Sequence, residues 1–414
     1  MMREIYTGIV LPGQGAVTAA ARVRLEQQGL FEEGVFAYGR KYQALENAIA
    51  LNPGYLPLEN EIFPMTPTRS RDGGALNLTL KDALPDAWGR LVIQARNNWN
   101  AVSDVDVLLQ TNADRVGAMV FAERLDEIPD LDLSVKSFRL EDLAKAAHAL
   151  EFDMDVPPEF RRLLRQGGSL GGARPKASFV RERSLWIAKF PAKDDELDVQ
   201  LLEHCTLLLA SQCGIRVPDH LVVSLGKIHS LLLRRFDRPG LIEQGARIHY
   251  LSAAAFTDSP YESNAGSYVK LAEHLRRYGA NVAEDLAQLF RRMVFNMLID
   301  NSDDHVKNHG VLHVGGNRYA LAPAFDLVPQ LTNLGYMGMA MIDQDLSASL
   351  DTARQHAPRF GLTPEVANRI IGEVAAGVRL WRPVFESCGA DKAILARVEA
   401  CFQRQARIVG IASV

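Results

Sequence analysis

Long apolar runs are missing from this 414-residue chain. No window approaches the roughly 18 consecutive apolar residues of a membrane-spanning helix. The start, MMREIYTGIVLPGQG, also lacks the apolar stretch and small-residue cleavage site of a secretory signal. The cytoplasm is therefore the expected compartment, with no membrane partner. Cysteine is scarce: four residues (Cys205, Cys213, Cys388, Cys401) with no CxxC pair. In a reducing compartment these read as buried thiols, not as disulfides or a structural zinc site. Low-complexity tracts and internal repeats are absent. The formal net charge of −4 is too balanced for a large nucleic-acid footprint made by this chain alone, because such binding needs clustered Lys and Arg. A local basic strip remains at Arg161, Arg162, Arg165, Arg174 and Lys176, flanking a glycine-rich turn.

What is present is the composition of a globular protein, 47% hydrophobic and 23% charged. The length exceeds one ordinary core, so two or three compact units sharing a cleft are expected. Residues 1–150 mix short β-like runs (IYTGIVL, VGAMVFA) with a helix through LPDAWGRLVIQARNNW and read as a small α+β domain. Leu140, Leu143, Ala147 and Leu150 recur at helical spacing before Pro157-Pro158 breaks the pattern. From Gly167, over 151–240, a glycine-rich turn leads into strands KASFVRE and SLWIAKF, a helix from Asp195 to a stop at Gly214, and a further strand pair. Residues 241–414 read as helical. Asn281 with Glu284 predicts a capping box. Leu286, Leu289, Phe290, Met293, Val294, Met297 and Leu298 form a buried stripe. Thr363-Pro364-Glu365 opens another helix and Asp391 caps a last one.

The densest chemistry lies in LIDNSDDHVKNHG, residues 298–310. A helix-end loop can be polar for solubility alone. Asp303 and Asn308, however, have the D-x-x-x-x-N spacing with which protein kinases place a carboxylate on the acceptor hydroxyl and an amide on magnesium. Asp326 follows, after a predicted hairpin turning at Gly315-Gly316-Asn317, and supplies a second metal ligand. Only Asp303, not Asp304, gives the five-residue spacing. Gly167 to Lys176 offers a phosphate cradle, although it fits neither GxGxxG nor the Walker A pattern and a plain turn would look the same. Lys189, followed by a helix carrying Glu203, suits a lysine on the α- and β-phosphates held by a glutamate; a solvent-facing strand lysine is the alternative. Arg234, Arg235 and Phe236 lie where a hinge would meet adenine. His305, His309, Asp303, Asp304 and Asp326 also permit a divalent-metal hydrolase, which leaves the glycine-rich segment and Lys189 without a task.

Taken in order, SLGGARPKA, RRFDR, NSDDHVKN and AFDLVP resemble the HipA family of serine/threonine kinases, toxins of type II toxin-antitoxin modules, and LPDAWGR and DRVGAMVF resemble that family's first domain. The resemblance runs from about residue 5 past 330. It implies an α+β chain with a two-lobed protein-kinase-like fold, an N-terminal α+β subdomain and an all-helical C-terminal lobe. It further implies ATP with Mg2+, Asp303 as the catalytic aspartate, Asn308 and Asp326 on the metal, and His305 and Lys307 completing the loop. Gly171, Gly172, Ala173, Arg174, Pro175 and Lys176 would form the phosphate loop, Lys189 the phosphate-binding lysine, and Arg234, Arg235 and Phe236 the adenine hinge. Ser169 matches a serine whose autophosphorylation ejects that loop. Two departures from conventional kinases, AFDLVP in place of DFG and GGARPK in place of a glycine loop, agree with the family.

The expected function is thus growth inhibition by phosphorylating an aminoacyl-tRNA synthetase, of the glutamate-tRNA synthetase kind, restrained by a HipB-like helix-turn-helix antitoxin through which the chain meets DNA indirectly. The alternative from another class is a catalytically silent kinase-fold scaffold acting as corepressor. The joint presence of Asp303, Asn308, Asp326 and Lys189 speaks against it.

Overall fold

A computed structural model describes residues 2–28, 31–66, 74–99, 102–111, 114–131, 138–152, 154, 172–263, 265–332 and 335–403. Ser169, Gly171, the Arg161-Arg162-Arg165 strip and Pro157-Pro158 lie outside them. The chain forms two compact units, one of residues 1–193, 232–251 and 312–317, the other of 194–231, 252–311 and 318–414.

The first unit is built on an antiparallel sheet of β1 (Met2–Val10), β2 (Val17–Gln28), β3 (Phe31–Tyr38), β4 (Ile62–Met65) and β5 (Met119–Ala122), in the order β4-β3-β2-β1-β5. Its face is chosen by strict alternation. Ala21, Val23 and Leu25 are buried, while Arg22 and Arg24 point the other way and Arg24 pairs with Glu4 at 3.0 Å. The register Ile5–Val23–Phe36 runs through the core. Gly8 sits where β1 slips register; a Cβ there would lie 2.6 Å from Val17 Cγ1 and 2.9 Å from Val120 Cγ2, so only glycine lets the neighbours close up. Helix α1 (Ala87–Asn97) buries Trp88, Val92 and Ile93, and α2 (Leu140–Glu151) buries Leu140, Leu143 and Ala147 as the spacing predicts. A hairpin of β6 (Lys176–Arg181) and β7 (Ser184–Lys189) turns at Glu182 and Arg183, both with positive φ (51° and 59°), the backbone of a type I′ turn made without glycine.

In the second unit α3 (Val199–Gln212) starts at Asp198, whose carboxylate accepts from Leu201 N–H, and ends before Gly214 at φ +76°. Strand β8 (His220–Leu225) belongs to this unit; β9 (Ile228–Arg234) begins in it and β10 (Tyr250–Ser252) ends in it, each with its remaining residues in the first unit; helices α4 (Tyr268–Tyr278) and α5 (Val282–Leu298) follow in the second. Every residue of the α5 stripe expected to be buried is buried. The capping box expected at its start is not formed. Asn281 makes no side-chain cap bond and Glu284 turns to Arg216 at 3.3 Å; the chain enters α5 instead through Ala280 N–H on Tyr319 O. Helix α6 (Pro364–Val378) opens on Thr363, whose hydroxyl accepts from Val366 N–H with proline at N1. Helices α7 (Trp381–Ser387) and α8 (Lys392–Gln403) follow, Asp391 accepting from Ile394 N–H at 2.8 Å.

The structure is mixed, with antiparallel strands and helices, and its C-terminal part is not all-helical. Strands β10, β11 (Gly310–Gly315) and β12 (Arg318–Leu321) fall within residues 241–414. The reason is the alternation of buried Val311 and His313, then Tyr319 and Leu321, around the Gly315-Gly316 turn, where both glycines have positive φ. Among the described residues no helix is long and apolar enough to cross a membrane. Cys205, Cys213 and Cys401 are buried thiols; Cys388, expected to be buried, is only half-buried, because it follows the last turn of α7.

Candidate active site

The polar loop of the second unit begins where α5 stops. Asp300 takes a left-handed φ of 51°, Asn301 N–H closes on Asn296 O at 3.0 Å, and the chain leaves the helix axis. Asn308 Nδ2 then donates to Asp303 O at 3.2 Å, so the loop is pinned across the five-residue spacing and the amide oxygen Oδ1 is the atom left for a cation. Lys307 N–H bonds His305 Nδ1 at 3.2 Å, and the His305 ring packs edge-on against Tyr261 at 4.7 Å. Gly338 presses on the same loop: a Cβ there would lie 2.2 Å from Asp304 O and 2.5 Å from Ser302 O.

The two neighbouring carboxylates differ in kind. Asp304 is buried, with one oxygen on His309 Nε2 at 2.8 Å and the other accepting from Tyr268 OH, itself held by Asn296 Nδ2 at 3.0 Å. Burial alone would raise the Asp304 carboxyl. The His309 imidazole and the bonds from His309 and Tyr268 outweigh it and hold the group below its ordinary value. Asp303 is exposed. Burial lowers the pKa of His305, opposed by the carboxylates of Asp304, Asp303 and Asp326. Asp304 and His309 are bonded to each other.

Asp326 is half-buried and holds φ +53°, an uncommon conformation for a side-chain-bearing residue and one that clusters at functional sites. Its N–H donates to Glu203 Oε1 at 3.2 Å, and Gln330 N–H on Asp300 O at 3.0 Å ties its segment to the loop. Glu203, expected to hold a lysine, is thus placed on the backbone of Asp326. Lys189 lies in the other unit.

In the first unit, the described part of the segment expected to cradle phosphate begins at Gly172. Gly172 has φ +100°, and its N–H donates to Asp86 Oδ2 at 2.6 Å. The Lys176 ammonium occupies the space a side chain would need: a Cβ on Gly172 would meet Lys176 Nζ at 1.9 Å. Trp88 Nε1 donates to Lys176 O at 2.8 Å, and Phe190 N–H to Pro175 O at 2.8 Å. Lys176 pairs in register with Lys189, so both lysines leave the same face of the hairpin, and both are buried. Ala173 and Arg174 are exposed. LPDAWGR, which carried only a family likeness in the sequence, supplies Asp86 and Trp88, the two residues that hold this loop from outside it. Nothing in spacing or composition marks them for that task.

Arg235, expected at the adenine hinge, makes its side-chain contacts within the first unit. Its guanidinium is buried and bidentate on Asp237 at 3.0 and 2.7 Å, with further bonds to Asp114 O at 2.7 Å, Asp114 Oδ1 at 3.0 Å and Arg115 O at 2.9 Å. Its N–H is taken by Leu185 O at 3.0 Å. Arg238 joins Asp237 at 2.7 Å, and the Asp237 carboxyl, which burial would raise, is held well below the carboxylate range by Arg235 and Arg238. The side chains of RRFDR are therefore a clamp between residues 114–117 and 237–238. Arg234 and Phe236 are half-buried.

Residues 168–381, just over half of the chain, match the family described as the HipA-like C-terminal domain, and residues 18–122 match the HipA N-terminal domain. The chain belongs to the HipA family. Two curated relatives share the name "Putative kinase": Y4dM of Sinorhizobium fredii, 30% identical over 34% of this chain, and a Haemophilus influenzae protein, 22% identical over 44%. The matches span 37% and 59% of those relatives' own lengths. The fold is similar to that of HipA in a Shewanella oneidensis toxin-antitoxin complex of HipA, HipB and operator DNA, with a TM-score of 0.69, 98% of each chain covered and 16% identity.

Proposed function

We propose that this chain is an ATP- and magnesium-dependent protein kinase that acts on serine or threonine as the toxin of a toxin-antitoxin pair. The observation that carries the reading is the loop of Asp303 and Asn308, pinned by Asn308 Nδ2 on Asp303 O at 3.2 Å, with the segment of Asp326 tied to it by Gln330 N–H on Asp300 O at 3.0 Å. Lys176 and Lys189, in register on one face of a hairpin, suit the phosphates of the nucleotide.

The second unit supplies the other requirements of phosphoryl transfer, which asks for positioning and charge more than for covalent chemistry. Asp303 is the exposed carboxylate that accepts the proton of the acceptor hydroxyl as its oxygen bonds the γ-phosphorus and the bond to ADP breaks. Asn308 Oδ1 and the Asp326 carboxylate are the oxygens for Mg2+, a hard cation, which when bound neutralises charge on the phosphates. Glu203 and the Gln330–Asp300 bond hold Asp326 in its left-handed conformation. Ser169, outside the described residues, is the proposed autophosphorylation site. The proposed target is an aminoacyl-tRNA synthetase of the glutamate-tRNA synthetase kind, and the proposed partner a HipB-like antitoxin bridging to DNA. The family membership and the fold shared with HipA of the Shewanella complex support that partner.

The test is incubation of phosphatase-treated protein with magnesium and γ-labelled ATP beside Asp303→Asn and Asp326→Asn, with mass spectrometry to locate the label. Phosphate on Ser169 in the wild type alone is the expected result. No label and no ATP binding by calorimetry would turn the assignment to a scaffold.

A further inference from the structure

A serine, an imidazole and a carboxylate line up in the second unit, on residues the kinase reading does not use. Asp198 caps α3, Ser224 lies on β8 and His229 on β9. The two strands are neighbours in one sheet with only Gly226 and Lys227 between them, and Gly226 has φ +73°. A two-residue turn of this kind brings Ser224 opposite His229. Ser224 Oγ stands 3.0 Å from His229 Nε2, and His229 Nδ1 bonds Asp198 Oδ2. An ionised carboxylate only accepts, so the proton of the neutral His229 ring sits on Nδ1, and Nε2 faces the serine hydroxyl as a lone pair. The other oxygen, Asp198 Oδ1, accepts from Leu201 N–H at 3.0 Å, which fixes the carboxylate against the ring.

Exposure separates the roles. Ser224 is at the surface, whereas His229 and Asp198 are half-buried. A surface hydroxyl is satisfied by water, so its bond to Nε2 adds little to stability. Its effect is chemical: a hydroxyl, a base and a group that orients the base stand in sequence, the arrangement that activates a serine. The same exposure sets the substrate. Gly226, Lys227 and Ile228 beside the serine are exposed too, so the carbonyl oxygen of an acyl donor stays in water there. The donor must then carry a leaving group that departs readily, as an aryl ester does.

We propose that Ser224 is a nucleophile that takes acyl groups from small aryl esters, with His229 as its base and Asp198 as the residue that positions the ring. Ser224 Oγ bonds the acyl carbon as its proton passes to His229 Nε2. The bond to the aryl oxygen breaks, and that oxygen leaves with the proton from Nε2 as a phenol. Water then bonds the acyl carbon, passing a proton to Nε2, and the serine oxygen departs and regains that proton. Ester and water become carboxylic acid and phenol, with nothing oxidised or reduced.

No step of the test uses ATP, so its outcome is independent of the kinase reading. Full-length protein mixed with p-nitrophenyl acetate is expected to release a burst of about one equivalent of nitrophenolate and to carry an acetyl group on Ser224 by mass spectrometry. Ser224→Ala should lose both. Asp198→Asn keeps the helix cap, because asparagine caps as well as aspartate, and should slow the burst about 10²–10⁴-fold at an unchanged melting temperature. An equal burst from wild type and Ser224→Ala, acetyl groups on lysines alone, or a burst that Asp198→Asn leaves unchanged would overturn the proposal.

Discussion

Lys176 and Lys189 stand directly opposite each other on β6 and β7, with 6% and 7% of their surface exposed. Replacing Lys189 or Lys176 with Met is expected to weaken ATP binding by about tenfold to a hundredfold, the loss of a charge-assisted hydrogen bond of about 1.5–3 kcal/mol. Calorimetric titration and thermal melts distinguish this from a structural role, which would lower the melting temperature and leave affinity alone.

Asp303 and Asp304 should respond oppositely to the same change. Asp303→Asn removes an exposed carboxylate and is expected to cut phosphoryl transfer about 10²–10⁴-fold while leaving the denaturant midpoint in place. Asp304→Asn breaks a buried pair with His309 and is expected to cost about 3–5 kcal/mol of folding stability. Turnover and urea titrations on both variants would show the assignment reversed if Asp304→Asn alone lost activity at full stability.

Two glycines of the second unit form a matched pair. Gly338→Ala drives a methyl into Asp304 O and Ser302 O, backbone atoms that yield only if the loop moves. A loss of about 1–3 kcal/mol, with a fall in turnover, is expected. Gly372→Ala, on α6 with open space around it, should be neutral or raise stability by about 0.5–1 kcal/mol. Chemical denaturation of the two side by side is the check.

Acid should destabilise the fold well before the carboxylates titrate. His249 is buried, Nε2–H on Leu51 O at 2.7 Å, and burial lowers its pKa to about 4. Above about pH 6.5 the imidazole is neutral folded or unfolded. As pH falls from there toward 4, the unfolded chain takes a proton that the folded chain refuses, and up to roughly 3 kcal/mol of stability is lost across that window. His249→Gln should flatten the slope between pH 6.5 and 4; an unchanged slope would place the acid sensitivity elsewhere.

The chain order of the elements was legible because each rests on local chemistry. Alternation in ARVRLE made a strand, the Leu286–Leu298 stripe made a helix, and Thr363-Pro364 and Asp391 began helices wherever they stood. Asn281 misled because a cap needs Glu284 as well, and Arg216, distant in sequence, takes Glu284 away. The hairpin at 310–321 was visible in its own residues even though the region as a whole read as helical.

The candidate site divides in the same way. Sequence alone determined the spacing of Asp303 and Asn308 and the order of glycine turn, strand lysine and later aspartate, since these are properties of neighbours along one chain. Tertiary structure decided which of two adjacent aspartates is buried, since only folding brings His309 and Tyr268 to Asp304. It also put Asp86 on Gly172 and Trp88 on Lys176, committed Arg235 to Asp237 and Asp114, and set Glu203 on Asp326. Each of those contacts joins residues whose pairing depends on how the strands and helices pack, and packing is not encoded in spacing.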